Sequence, residues 1–114
     1  NRVVIFGAGA GLPYFSTDTV AAQRALEVHA DEVLMAKSGV DGVYTADPLK
    51  DPTARKLDVL TYDDALRQNI RVMDQTAMTM CKDNNLDMRV FGMEGDGNVA
   101  RALLGEQIGT VVTV

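Results

Sequence analysis

The first eighteen residues constrain this chain most, because their character changes twice. Val3, Val4, Ile5 and Phe6 form a β-branched and aromatic run of the kind that makes a buried strand. Gly7, Gly9 and Gly11 follow at every second position, and Pro13, Tyr14 and Phe15 lead to Ser16, Thr17 and Asp18, three residues that favour helix starts. Val20, Ala21, Ala25 and Leu26 then recur at helical spacing. The unit reads as strand, glycine loop, helix.

Such a junction suits an anion. Glycine has no Cβ to keep a ligand off the backbone, and a helix N-terminus offers unpaired N–H groups and a favourable dipole. The same glycines also serve a plain strand-to-helix turn, and Ser16 and Thr17 can cap the helix as well as donate to phosphate oxygens. The Tyr14-Phe15 pair offers a surface for a flat base. No Gly-Lys-Ser/Thr follows, so the loop is not a Walker P-loop, and Leu12 stands where a dinucleotide fingerprint needs its third glycine. That leaves a nicotinamide-dinucleotide site as a distant alternative.

Charge and cysteine content narrow the partners. A net charge of −5 without any Lys/Arg cluster disfavours nucleic acid and anionic membrane. No apolar run approaches the roughly 20 residues of a spanning helix, and no signal-peptide pattern precedes the first strand, so cytoplasm is the expected location. The chain's 114 residues, 46% of them hydrophobic, make one domain with a modest core. One cysteine and one histidine assemble no Cys/His metal site; Cys81 reads as a buried structural thiol beside Ala77 and Met78, and His29 as a solvated residue at the end of the first helix. Asn1 lies at the edge of the first strand and is not methionine, which reads as a piece of a longer protein.

Beyond the first helix, Glu32 to Ala36 reads as a second strand, making the opening a βαβ unit with two parallel strands. The segment after it, VDGVYTADP from Val40 to Pro48, therefore belongs near the glycine loop, at the strand ends where parallel sheets bind ligands. Tyr44 can face a purine or pack in the core. Asp47 can accept from ribose hydroxyls or cap a turn before Pro48, and Lys37 can approach phosphates. Asp47 to Arg55, with two Asp-Pro pairs, is a surface excursion. Leu57 to Leu60 is a minor strand, TYDD (Thr61 to Asp64) starts a short helix, and Asp74 caps a further helix that Asn84-Asn85 ends. Met88 to Phe91, Asn98 to Leu104 and Thr110 to Val114 continue as strand, helix and strand. This alternation predicts an α/β fold, a three-layer α/β/α sandwich with a mainly parallel sheet.

Together the stretches GAGAGLPYFSTD (Gly7 to Asp18), VDGVYTADP, VMDQTA (Val72 to Ala77), RVF and the closing GEQIGTVV resemble the C-terminal half of the bacterial uridylate (UMP) kinases, in the amino acid kinase superfamily. The likeness covers essentially the whole chain. It implies an amino acid kinase fold whose N-terminal half is absent, and phosphoryl transfer from Mg·ATP to UMP in pyrimidine nucleotide biosynthesis. By the same resemblance Ala10, Gly11, Leu12, Pro13, Tyr14, Phe15, Ser16 and Thr17 wrap UMP, Asp18 is the organising catalytic aspartate, and Lys37, Tyr44 and Asp47 contact ATP. Ser38-Gly39 adds one residue to the usual pattern, leaving Lys37 and Ser38 as rivals for one ATP contact. Ala10 stands where many relatives carry threonine. The cofactor implied is Mg²⁺ with ATP, no protein metal ligand is implied, and the family's hexamers and their response to GTP and UTP imply oligomerisation and allostery. Since the family's phosphate-gripping lysine belongs to the other half, these residues alone are expected to be inactive. An aspartate kinase shares the VDGVYTADP stretch but not the GLPYFSTD loop; a non-catalytic nucleotide-binding module is the other alternative.

Overall fold

The stretch Asp87–Gly92, buried on both faces from Met88 onward, sets the middle of the molecule. Along the chain, the elements of the computed structural model, which describes residues 1–114, are α1 (Thr17–Glu27), β1 (Glu32–Lys37), β2 (Val43–Tyr44), β3 (Lys56–Leu57), β4 (Val59–Thr61), α2 (Tyr62–Arg67), α3 (Gln75–Asp83), β5 (Asp87–Gly92), α4 (Asn98–Leu103) and β6 (Thr110–Thr113). The main sheet has the order β1-β5-β6-β4. β1 runs parallel to β5 and β4 parallel to β6, whereas β5 and β6 are antiparallel, so the sheet is mixed with mostly parallel pairing.

Successive side chains of a strand face opposite sides. Met88 and Val90 of β5 join Val112 of β6 in one core with Ala22 of α1, Ala65 of α2 and Ala77, Met78 and Cys81 of α3. Arg89 and Phe91 are buried on the other face, where α4 packs against β1 and β5 and Ala102 is buried outside that core. Helices on both faces make the three layers. Tyr62 is fully buried and its hydroxyl donates to the Leu86 carbonyl at 2.7 Å, tying the first residue of α2 to the entrance of β5. Burial pushes its phenol pKa far up, so the hydroxyl keeps its proton.

Two expectations change. Val3–Phe6 is not a strand: residues 1–15 make no backbone–backbone hydrogen bond, and Val3 and Ile5 are 93% and 89% exposed. A strand needs a neighbour for its N–H and C=O groups, and the outer edge of β1 stands without one. The βαβ opening is therefore not formed, and α1 leads into β1 from a loop. The segment Leu57 to Leu60 is not one minor strand either. It divides at Asp58: Lys56–Leu57 pairs with β2 in a separate antiparallel ribbon, while Val59–Thr61 joins the main sheet beside β6. The buried Thr110 hydroxyl accepts from the Val43 N–H at 2.9 Å and donates to the Leu57 carbonyl, which tacks the ribbon onto the sheet.

α1 and α3 are bound to each other at their N-termini. Ser16 caps α1 by accepting from the Thr19 N–H at 3.2 Å, and its hydroxyl donates to the Asp74 carboxylate, as does that of Thr19 at 3.3 Å. Asp74 caps α3, accepting from the Ala77 N–H at 2.8 Å, and donates its own N–H to the Asp18 carboxylate at 3.0 Å. Burial opposes the charge on Asp74, but the Ser16 hydroxyl, the Ala77 N–H and the Thr19 hydroxyl outweigh it and hold the carboxyl below its ordinary 3.8.

Asp74→Ala removes a helix cap and two inter-helix acceptors, and should cost about 1–2 kcal/mol in a urea titration at neutral pH. Because the folded pKa is the lower one, the stability that Asp74 contributes is complete above 3.8 and disappears as the pH falls through the folded value. The acid limb of the stability curve should accordingly be shallower in the variant. Tyr62→Phe leaves the Leu86 carbonyl buried without its donor, and should cost about 1–3 kcal/mol in the same titration.

Candidate active site

The carboxyl ends of β1 and β5 lie side by side, with Lys37 opposite Gly92 in register and the Met93 N–H donating to the Lys37 carbonyl at 2.9 Å. Adjoining clefts open there, each of about 610 Å³. The first is lined by Lys37, Tyr44 and Asp47 together with Val40, Val43 and Ile70. In the second, Lys37 appears again with Asp18, Asp74, Gln75 and Met73. Residues 69–72, between α2 and α3, border both.

Lys37, with Arg71, is thus a cation at the junction. Its ammonium donates to the Val72 carbonyl at 2.8 Å, which holds the side chain across the chain segment separating the clefts. Ser38, its rival in the sequence, lines neither cleft; its hydroxyl is turned to Glu94 at 2.8 Å. Tyr44 is half-buried, and its hydroxyl donates to Asp41 at 2.6 Å. That bond holds the Asp41 carboxyl below 3.8, with Lys56 at 3.7 Å adding to it, and raises the Tyr44 phenol above 10.0. Asp47 lines the first cleft while its carboxylate accepts from the Leu49 N–H at 2.9 Å, an Asx turn before the excursion.

The glycine loop is arranged differently. Ala10, Gly11, Leu12, Pro13, Tyr14 and Phe15 line neither cleft; Leu12 and Phe15 are more than half exposed and Tyr14 is fully exposed. Gly9, Gly11 and Tyr14 all take positive φ, which turns the loop tightly in front of α1. Ser16 is occupied by its cap, and Thr17 lies in a shallow apolar groove with Phe6, Gly9 and Val20. The structure therefore brings together Asp18, Lys37, Tyr44 and Asp47, and leaves Ala10 to Thr17 to one side of them.

Asn69 and Arg71 border both clefts, yet sequence reasoning passed over them. Arg71 directly precedes the VMDQTA stretch, but a single arginine after a short helix carries no motif that would mark it. No three His, Cys, Asp or Glu groups gather anywhere as a metal cage. Asp18 and Asp74, the carboxylates of the second cleft, already accept from an N–H and from hydroxyls. Cys81 is buried, and burial pushes its thiol up. No helix is long and apolar enough to cross a membrane.

Comparison with known proteins places this geometry in a lineage. A family model described as the amino acid kinase family matches residues 1–92. The uridylate kinase of Paenarthrobacter aurescens (strain TC1) is 87% identical over 113 residues, and that of Clavibacter michiganensis subsp. michiganensis is 66% identical over 113. Each alignment covers 99% of this chain but 46% and 48% of the relative, so the chain spans about half the length of the curated relatives it matches. The crystal structure of UMP kinase from Bacillus anthracis superposes with a TM-score of 0.88 at 44% identity, covering 92% of this chain and 43% of that one. The α/β architecture, the clefts at the strand ends and these likenesses agree: the chain belongs to the amino acid kinase family, among relatives named uridylate kinase.

Proposed function

We propose that the protein carrying this chain transfers the γ-phosphoryl group of Mg·ATP to UMP, giving UDP and ADP, as a step of pyrimidine nucleotide biosynthesis. The observation that carries this reading is the position of Lys37, which lines the Tyr44–Asp47 cleft and the Asp18 cleft at once. A cation shared by two cavities, as Lys37 and Arg71 both are, is what transfer from a donor phosphate to an acceptor phosphate needs. In this reading Tyr44 faces the adenine, Asp47 meets the ribose, and Lys37 neutralises charge on the transferring group. Residues 10–17 close over UMP, with backbone N–H groups and the Thr17 hydroxyl as donors. Asp18 does not act as a general base; from the mouth of α1 it positions the cations around the phosphates. The names of the relatives support the acceptor assignment.

The chemistry is direct in-line displacement without a covalent enzyme intermediate, so positioning and electrostatics supply the acceleration. Magnesium, when bound with ATP, supplies charge neutralisation between the phosphates. Half the relatives' length lies outside these 114 residues, and the remaining phosphate-binding groups belong to it; the 114 residues alone are inactive in this reading. Assembly into a homo-hexamer, allosteric control by nucleotides and a cytoplasmic location complete the proposal.

ADP release by the full-length enzyme with Mg·ATP tests it, with UMP, CMP and aspartate compared as acceptors. UMP alone should raise the rate well above background, and Asp18→Asn should lower kcat by about 100-fold. A response to aspartate instead of UMP overturns the acceptor assignment, and turnover by the 114 residues alone overturns the division of catalytic groups.

A further inference from the structure

The turn that leaves β1 is held by the loop that leaves β5. One oxygen of the Glu94 carboxylate accepts from the Ser38 hydroxyl at 2.8 Å and from the Gly39 N–H at 2.9 Å. These donors, the Ser38 hydroxyl foremost, keep the Glu94 carboxyl below its ordinary 4.5 and therefore charged near neutral pH. Gly39 has φ +82, so the turn uses a conformation that other residues resist. Close by, a Cβ on Gly92 would stand 3.2 Å from the Asp41 Cα and the Val40 carbonyl oxygen, and the Asn98 amide donates to the Gly92 carbonyl at 2.9 Å. The two loops are thus interlocked over the strand ends. Glu94 does not line the cleft of Lys37, Tyr44 and Asp47; it borders a smaller depression behind it, with Asp41 and Tyr44.

We propose that Glu94 is a positioning residue for the nucleotide cleft: its carboxylate reaches from the β5 loop to fix the Ser38–Gly39 turn, and through that turn the placement of Lys37 relative to Tyr44. This inference rests on the reading of that cleft as the ATP site. Two donors converge on one oxygen of Glu94, and its charge strengthens both bonds. Glutamine keeps the oxygen without the charge. Glu94 is itself exposed and belongs to no apolar cluster, so its loss leaves the fold standing and frees the turn. The ordering of that turn must then be supplied on binding, which weakens ATP affinity while the chemical step, once ATP is seated, proceeds as before.

Steady-state kinetics of the full-length enzyme test this, with wild type, Glu94→Ala, Glu94→Gln, Ser38→Ala and the Ser38→Ala/Glu94→Ala pair, each nucleotide varied against a saturating level of the other. Glu94→Ala should raise KM for ATP about tenfold, with kcat within about twofold and KM for UMP unchanged. Glu94→Gln should give a smaller rise, and the double variant should be no worse than Glu94→Ala, since both substitutions break the same contact. An unchanged KM for ATP, an equal rise in both KM values, or strictly additive single effects overturns the proposal. A wild-type enzyme that releases no ADP with UMP would instead overturn the proposed function. Calorimetric titration of Glu94→Ala with ATP then decides the role of Glu94: about tenfold weaker binding sustains it, and unaltered binding removes it.

Discussion

Two helices share one capping arrangement, and the candidate site hangs from it. Ser16 and Thr19 of the α1 entrance hydrogen-bond to the Asp74 carboxylate, and Asp18 accepts from the Asp74 N–H, so each helix start satisfies polar groups of the other. Helix N-termini carry unpaired donors that must find partners. Here the partners lie 55 to 58 residues away in the chain, which turns a local requirement into a tertiary constraint. It sets the end of the glycine loop beside the segment that carries Arg71 and Val72, and it aims the Asp18 carboxylate into the cleft that Lys37 borders.

Parallel pairing of β1 with β5 does the complementary job. Both chains leave the sheet at the same end, so Lys37, the Ser38–Gly39 turn and the Met93–Glu94 loop converge without any long connection. The antiparallel β6 then closes the sheet beside β5 and supplies Thr110, whose hydroxyl binds the β2–β3 ribbon and steadies the Tyr44 side of the cleft.

Much of this was readable from residue order. Asp74 before an apolar helical pattern, Thr61 before Asp64, and the left-handed Asn85 after α3 are local signals, and each does in the structure what its chemistry foretold. Lys37, Tyr44 and Asp47 meet because they follow one strand in a short span. Of the two readings left open for Asp47, the turn cap is the one its hydrogen bond shows, while its side of the cleft remains open to a ligand. Other features depend on partners that no local pattern names. Val3–Phe6 has the composition of a strand and no strand beside it, Asp58 divides a run that looked continuous, and Glu94 gains its role only because β1 and β5 are neighbours. The exposure of Tyr14 and Phe15 belongs with these: an aromatic pair can offer a surface long before anything covers it.

The open outer edge of β1 and the bare Val3–Phe6 run also bear on how these residues behave in concentrated solution. A short exposed β-branched and aromatic stretch without charge, and separately an open strand edge with unpaired backbone donors and acceptors, are patterns on which strands from separate molecules stack. Arg2 is the charge adjoining that stretch, at its upstream end, and so the main barrier to such stacking there. An uncovered edge of this kind is an aggregation hazard for the isolated 114 residues whatever the packing of their helical face.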